Sequence, residues 1–334
     1  MYSKNELKLL RNQIQDVDDE LVQLLERRMR LSRAIGRYKL ENELPIYDPT
    51  REAKLQQHLL ERIEDPVHIP YVNSIIKEWL KQSKHIQSGK KILFTDLDGT
   101  LLNDQKEIPR QNQIEIQKAI ENGHIVTVAT GRTFESALKV VEKLGLNIPG
   151  CYLICYNGAM VYDFQQKKAL IDIRLNKDQV TYLFEEAYRY NLYIQTYQKG
   201  KIWTKYDCDE LRHYQNASKL DRELHDDVIQ KLTNEPHKVV LIDFQKEKLQ
   251  QFQNDHCEWE EKNCLSLFSC DEYLEYCPFG ATKGEALKFI ASYLNVAIEN
   301  TIAVGDEEND ISMLLAAGCG VAMANAKDEV KEIA

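Results

Sequence analysis

The chain has 334 residues, more than one hydrophobic core usually serves, so two or three domains are expected. Its 43 Lys and Arg against 53 Asp and Glu give a net charge of −10, and an acidic body excludes general nucleic-acid binding, which needs a basic surface. No apolar run approaches the roughly 18 residues of a membrane span, and no apolar segment follows Met1 as a signal peptide would require.

Charge is unevenly spread. Residues 1–88 carry 15 basic and 14 acidic side chains, and the remainder carries 28 and 39. Eight cysteines show no CxxC pair and no regular framework, which reads as reduced thiols in a cytoplasmic protein.

The first element is a long helix. Leu7, Leu10, Ile14, Val17, Leu21, Leu24, Leu31, Ile35 and Tyr38 fall on one stripe with steps of three and four, and Arg28 takes the one charged place on that seam. A helix longer than about 25 residues wants a partner along its length. Arg28 is either a polar residue that snorkels or sets register, or a receptor for an anion. Arg11 and Lys39 share a flank, but at 1.5 Å rise they stand roughly 40 Å apart, too far to hold one metabolite. Arg28 and Lys39 are only about 16 Å apart along the axis. An antiparallel second copy, with its dyad near Val22, would bring its own Arg11 into that gap, so a homodimer with shared sites is expected.

After Pro45, Asp48 reads as an N-cap and Pro49 as the first residue of a second helix. A third helix is expected from near Pro70. Its apolar face of Val72, Ile76, Trp79 and Leu80 continues into Ser83 and Gln87, which suggests either a lined pocket or a frayed end.

On LRNQI, LLERRMRLSRAIGRYKL and LPIYDPTRE, residues 1–88 resemble the all-helical chorismate mutases of the AroQ class. The resemblance implies three helices per subunit and an intertwined dimer. It implies that Arg28 and Arg11 of the partner subunit bind the two substrate carboxylates, and that Lys39 and Gln87 donate to the ether oxygen. Glu52 and the Asp48 region would hold the ring hydroxyl, supported by Arg51 and Ser83. No cofactor is implied. The reaction is a unimolecular rearrangement, so a site need only freeze a compact conformer and stabilise charge growing on the breaking ether.

Residues 83–90 read as a linker. Strand and helix signals then alternate: a strand over Lys91–Thr95, a helix over Arg110–Asn122, a strand over Ile125–Ala129, a helix over Phe134–Leu144 and a strand over Tyr152–Cys155. This rhythm predicts a doubly wound parallel sheet, with chemistry at the carboxyl ends of its strands. KILFTDLDGT delivers Asp96 and Asp98 to the same side of a strand end. Two carboxylates so crowded are costly unless a cation or a proton separates them. A calcium loop would also place a glutamate at Glu107, but it needs flanking helices where this segment opens on a strand.

From about Asp163 to Pro278 the pattern changes. Leu192–Tyr197, Lys201–Thr204, Val239–Phe244 and Leu265–Phe268 alternate like strands, among helical stretches such as Gln179–Tyr190. An inserted α+β cap is expected. Lys283 then opens a helix, and TIAVGDEENDISML follows.

DLDGT, ATGR, Lys283 and GDEENDISML, in that order and with YNGA and GVAMANA, resemble the Cof-type capped phosphatases of the haloacid dehalogenase superfamily. The resemblance implies an aspartyl-phosphate on Asp96, with Asp98 as general acid and then base. Asp96, the main-chain carbonyl of Asp98, and Asp306 would hold Mg²⁺, with Asp310 orienting them. Thr130, Gly131 and Lys283 would neutralise phosphoryl oxygens, and Asn309 would touch the phosphate or the cap. Tyr197, Trp203, Tyr206 and His213 are candidates for the substrate pocket, although core packing suits each of them better. The family continues past its last helix with another strand and helix, so the chain's end at Ala334 reads as shortened or truncated.

The expected architecture is therefore multidomain: an all-α three-helix domain at 1–88, an α/β doubly wound core at 89–162 and 279–334, and an inserted α+β cap at 163–278. The expected function is bifunctional, acting on chorismate and on a phosphorylated metabolite. Two alternatives remain open at this point. The helical domain could be a non-catalytic dimeriser or aromatic-metabolite sensor, and the second half could pass its phosphoryl group to a sugar instead of water.

Overall fold

The apolar stripe on residues 7–38 folds as one uninterrupted helix, α1 (Lys4–Glu41). The structure is a computed structural model that describes residues 4–42, 44–45, 47–87, 89–103 and 105–334. It divides into a first unit up to Lys90 and a second from Lys91 onward, with Glu121–His124 counted in the first.

In the first unit α2 (Pro49–Leu60) opens on its predicted cap, the Asp48 carboxylate accepting from the Arg51 amide at 3.0 Å. Next comes α3 (Ile69–Gln87). Ile76 on α3 is buried, and Gln56 of α2 donates to Asn73 of α3 at 2.7 Å. Gly36 is the only glycine in α1, and a Cβ there would overlap the carbonyl oxygen of Gln87. Glycine is what lets α1 meet the end of α3. Among the described residues nothing covers the outer part of the seam: Leu10, Ile14, Val17 and Leu24 are 45–62% exposed.

The second unit opens with β1 (Ile92–Asp96), α4 (Arg110–Glu121), β2 (Ile125–Ala129), α5 (Phe134–Lys143) and β3 (Cys151–Cys155), close to the predicted bounds. A hairpin follows, β4 (Met160–Asp163) and β5 (Lys168–Asp172). The cap then supplies α6 (Lys177–Arg189), β6 (Tyr193–Gln198), β7 (Lys201–Thr204), α7 (Asp209–Ser218), β8 (Arg222–Leu224), α8 (Val228–Lys231), β9 (Val239–Ile242), α9 (Lys246–Asp255), α10 (Cys257–Asn263), β10 (Leu265–Cys270) and β11 (Tyr273–Cys277). The chain returns with α11 (Lys283–Tyr293), β12 (Thr301–Gly305), α12 (Ile311–Ala316), β13 (Cys319–Ala322) and α13 (Asp328–Ile333).

The core sheet runs β13-β12-β1-β2-β3-β4-β5, parallel from β13 to β3 and antiparallel at the hairpin. Side chains alternate between two cores. Ile92, Phe94 and Ala303 pack with α11 and α12, while Val126, Val128 and Leu153 pack on the opposite face with Ala137 and Val141 of α5. The cap is a separate sheet, β10-β11-β9-β6-β7-β8. The hairpin corrects one expectation. The strand Lys168–Asp172, read from the sequence as part of the insert, belongs to the core sheet, because the tight antiparallel turn after β4 returns it alongside that strand. The element pattern after α12 also continues, with β13 beside β12 at the sheet edge.

Candidate active sites

In the first unit, seven of the predicted residues line one cavity of about 260 Å³: Arg28, Lys39, Asp48, Arg51, Glu52, Ser83 and Gln87. Each helix contributes by its period. Arg28, Leu31, Ile35 and Lys39 share one face of α1, and Leu80, Ser83 and Gln87 share one face of α3. The Arg28 guanidinium donates to the Ser83 hydroxyl and to the Trp79 carbonyl at 3.3 Å. Partial burial pulls its pKa below the ordinary arginine value, so a bound anion would be welcome there. Glu52 is tied to Lys84 at 3.1 Å, and Lys84 lies 4.8 Å from the centre of the Tyr47 ring.

Arg11 is not in this cavity. It sits 17 residues before Arg28 on the same helix, about 25 Å away along the axis. Lys84 and Ser32 line the site without having been anticipated. Lys84 was findable, being four residues after Leu80 on the same helical face.

In the second unit, β1 carries Asp96 to the carboxyl edge of the sheet, and β12 brings Asp306 in next to it. Lys283, at the start of α11 and wholly buried, places its ammonium 2.6 Å from Asp96 and 2.6 Å from Asp310. Asp310 also accepts from the amides of Asp306 and Glu307 at 3.0 and 3.1 Å. Asp306 accepts from Thr100 at 2.7 Å and from Asn325 at 3.2 Å. Gly99 has φ +81°, and a Cβ there would overlap the Asp306 carboxylate, so the turn after Asp98 needs glycine twice over.

Burial pushes the Asp96 carboxyl up, to about 8, with Asp310 and Asp98 adding to burial against the pull of Lys283. Burial also raises Asp306. Lys283 moves the other way to burial's pull: Asp310 and Asp96 hold its ammonium charged, above the ordinary lysine value. One ammonium does not offset three gathered carboxylates. Asp96, Asp306 and Asp310 each offer an oxygen, and these lie within 4.8 Å of one another. All-oxygen donors with excess negative charge fit a hard divalent cation.

Asp98 goes elsewhere. Its carboxylate takes two bonds of 2.6 Å from Arg132 and one of 2.9 Å from Lys106. Burial raises its pKa, but those two cations outweigh burial and hold it below the usual carboxylate value. Its side chain therefore stands outside the three-carboxylate group. Thr130 is buried, and its hydroxyl accepts from the Arg132 amide at 3.1 Å. Asn309 donates to Asn157 at 3.1 Å.

A cavity of about 370 Å³ joins Asp96, Asp98, Thr130, Gly131, Asp306 and Asn309 to the cap residues Tyr214, Ser218, Lys238, Ser269, Tyr273 and Glu275. None of the four aromatic candidates lines it. Tyr197 and Trp203 are buried in the cap's own cores, Tyr206 is exposed beside Tyr188, and His213 meets Phe244 and Tyr273. Arg132 is the last residue of the ATGR run. Lys238 and Glu275 had a fainter signal: each is a single charge in an otherwise apolar strand-like run, KVVLI and YLEYC.

Comparison with known proteins places each half of the chain in a family. Residues 93–334 match the haloacid dehalogenase-like hydrolases, and residues 10–88 match chorismate mutase type II. The phosphatase YwpJ of Bacillus subtilis is 32% identical, over 73% of this chain and 93% of its own. The 5-amino-6-(5-phospho-D-ribitylamino)uracil phosphatase YcsE of the same organism is 30% identical, over 73% of this chain and 88% of its own. A haloacid dehalogenase-like hydrolase from Bacteroides thetaiotaomicron superposes with a TM-score of 0.67 at 28% identity, covering 73% of this chain and 92% of that one.

Proposed function

Starting from a chain that belongs to the haloacid dehalogenase-like hydrolases and carries a chorismate mutase domain ahead of them, we propose a bifunctional enzyme that rearranges chorismate to prephenate and hydrolyses a small phosphomonoester. The domains are taken as 1–88 for the mutase and the remainder for the phosphatase and its cap.

For the mutase, the supporting observation is the gathering of Arg28, Lys39 and Gln87 around one cavity. Arg28 binds one substrate carboxylate. Arg11 of the partner subunit binds the other, which makes the active form a homodimer. The exposed seam of α1 supports this, since so many uncovered leucines ask for a second helix. Lys39 and Gln87 donate to the ether oxygen as its bond to carbon breaks and charge grows there. Glu52 and the Asp48 region hold the ring hydroxyl, with Arg51 and Ser83 in support, Ser83 accepting from Arg28. No bond to the protein forms, and no cofactor takes part.

For the phosphatase, the supporting observation is Asp96 seated among Lys283, Asp310 and Asp306. Asp96, the Asp98 carbonyl and Asp306 would hold Mg²⁺, with Asp310 orienting them. That ion, when bound, screens charge between carboxylates and phosphoryl oxygens. An Asp96 oxygen attacks phosphorus as the ester P–O bond breaks, and Asp98, which first takes up a proton from solvent as Arg132 and Lys106 turn to the phosphoryl group, passes that proton to the departing alkoxide. Asp98 then takes a proton from water, whose oxygen displaces Asp96 and releases inorganic phosphate. Thr130, the Gly131 amide, Asn309 and Lys283 surround the phosphoryl oxygens. Asp98 begins held by Arg132 and Lys106, and an incoming phosphoryl group competes for those two cations.

The cavity under the cap, where Tyr214 and Tyr273 stand beside Lys238, Ser269 and Glu275, suits a phosphorylated metabolite carrying hydroxyl or ring groups. Eight free cysteines support a reducing compartment, the cytoplasm, and among the described residues no helix is long and apolar enough to cross a membrane. A screen of phosphorylated metabolites with Mg²⁺, using Asp96→Asn as the blank, tests the hydrolase half. Phosphate release that survives the substitution removes Asp96 as nucleophile.

A further inference from the structure

Two charges lie inside the cap's apolar sheet. Lys238 stands just before β9 and Glu275 lies on β11; their side chains are 1% and 3% exposed, and their charged ends meet at 2.8 Å. Desolvating such a pair is costly, and an apolar pair of similar volume is often as stable or more so. Stability alone is therefore a poor reason for it.

The remaining bonds supply a better one. Lys238 also donates to the Gly131 carbonyl at 2.8 Å, crossing from cap to core. Glu275 accepts from Ser269 of the cap at 2.8 Å and from Asn157 of the core at 2.6 Å. Asn157 in turn accepts from Asn309 at 3.1 Å. An unbroken chain of hydrogen bonds thus runs from Asn309 through the cap and back to Gly131. The Gly131 carbonyl shares a rigid peptide plane with the Arg132 amide, and that amide donates to Thr130. Anchoring one carbonyl therefore fixes the loop that carries the phosphoryl-binding groups.

We propose that Lys238 and Glu275 are positioning residues that couple seating of the cap to alignment of the phosphoryl-binding loop at Thr130, Gly131 and Arg132. The proposal rests on the phosphatase reading of this site. With the cap seated, the pair holds the loop and Asn157 at once. With the cap lifted, Gly131 and Asn157 lose those partners together, and the loop slackens. Neither residue touches the reacting atoms.

The test uses the full chain with Lys238→Met and Glu275→Met combined, since removing one partner alone leaves a buried unpaired charge. Asn157→Gly is the second variant. It tolerates the left-handed backbone at that position (φ 56°) and cuts the same chain from the core side. Amide hydrogen exchange is read over residues 129–133, and kcat and KM are read with p-nitrophenyl phosphate and Mg²⁺. The expected result is faster exchange in that segment, with kcat lower on the order of 10- to 100-fold and KM changed far less. Unchanged exchange in a folded variant overturns the coupling, whatever the activity. Faster exchange with parental kcat overturns the positioning role. Should the parent hydrolyse no phosphomonoester, the phosphatase reading fails, while the exchange comparison still decides the coupling.

Discussion

Lys283 and Asp96 are 187 residues apart in sequence, yet their charged ends meet at 2.6 Å with no exposure of the lysine side chain. Among the described residues the ammonium is the one cation paired with this buried group of carboxylates. Replacing it by methionine keeps the volume and removes the charge. Lys283→Met is expected to lower the phosphatase kcat on the order of a thousandfold. Chorismate turnover by the same protein should stay within about twofold, because the two sites belong to separate units of the fold and share no residue. Steady-state rates for both reactions check this.

Gly36 tests the mutase site from its backbone. Glycine to alanine inside a helix ordinarily stabilises by about 1 kcal/mol. Here the new Cβ would overlap the Gln87 carbonyl. A displacement near 1 Å at a catalytic group costs about a hundredfold, so steric displacement should win over propensity. Gly36→Ala is expected to lose chorismate turnover by about that factor and to keep phosphatase activity.

Gln87 can be tested by protonation. A neutral amide donates to the ether oxygen at any pH, whereas a carboxyl donates only while protonated, below an ordinary value of about 4.3 unless burial raises it. Gln87→Glu should therefore show chorismate turnover that rises as pH falls through the acidic range, against a flat parental profile. A flat profile in the variant contradicts the assignment.

The carboxylate cluster has its own pH dependence. The folded Asp96 pKa, near 8 without metal, lies above its unfolded value. Proton binding thus stabilises the metal-free fold, fully below about pH 4 and progressively less as pH rises toward 8. A divalent cation competes with that proton. Added Mg²⁺ should raise the melting temperature of the chelator-treated protein more at pH 8 than at pH 5. An equal or smaller shift at pH 8 contradicts the cluster as the metal site.

Much of both sites was legible because their residues stand where local geometry is strict. Asp96, Thr130 and Asp306 sit at ends of parallel strands, and a run such as KILFTD announces both the strand and its end. Arg28, Lys39, Ser83 and Gln87 obey a helical period. The strand Lys168–Asp172 reads as part of the insert because an antiparallel strand looks the same at the end of a core or the start of a cap. The cap's contribution was hidden for a different reason. Lys238, Tyr214, Ser269 and Tyr273 come from separate elements, and no spacing relates them until the sheet order β10-β11-β9 brings three of them together and α7 lays Tyr214 against Tyr273.

The most direct measurement follows chorismate loss and phosphate release on one preparation, before and after EDTA, with Asp96→Asn alongside. Chorismate turnover that ignores both EDTA and the substitution, with phosphate release lost to each, is the predicted result. Chorismate turnover that is absent, or phosphate release that persists in Asp96→Asn, contradicts an account that places two independent chemistries on this chain.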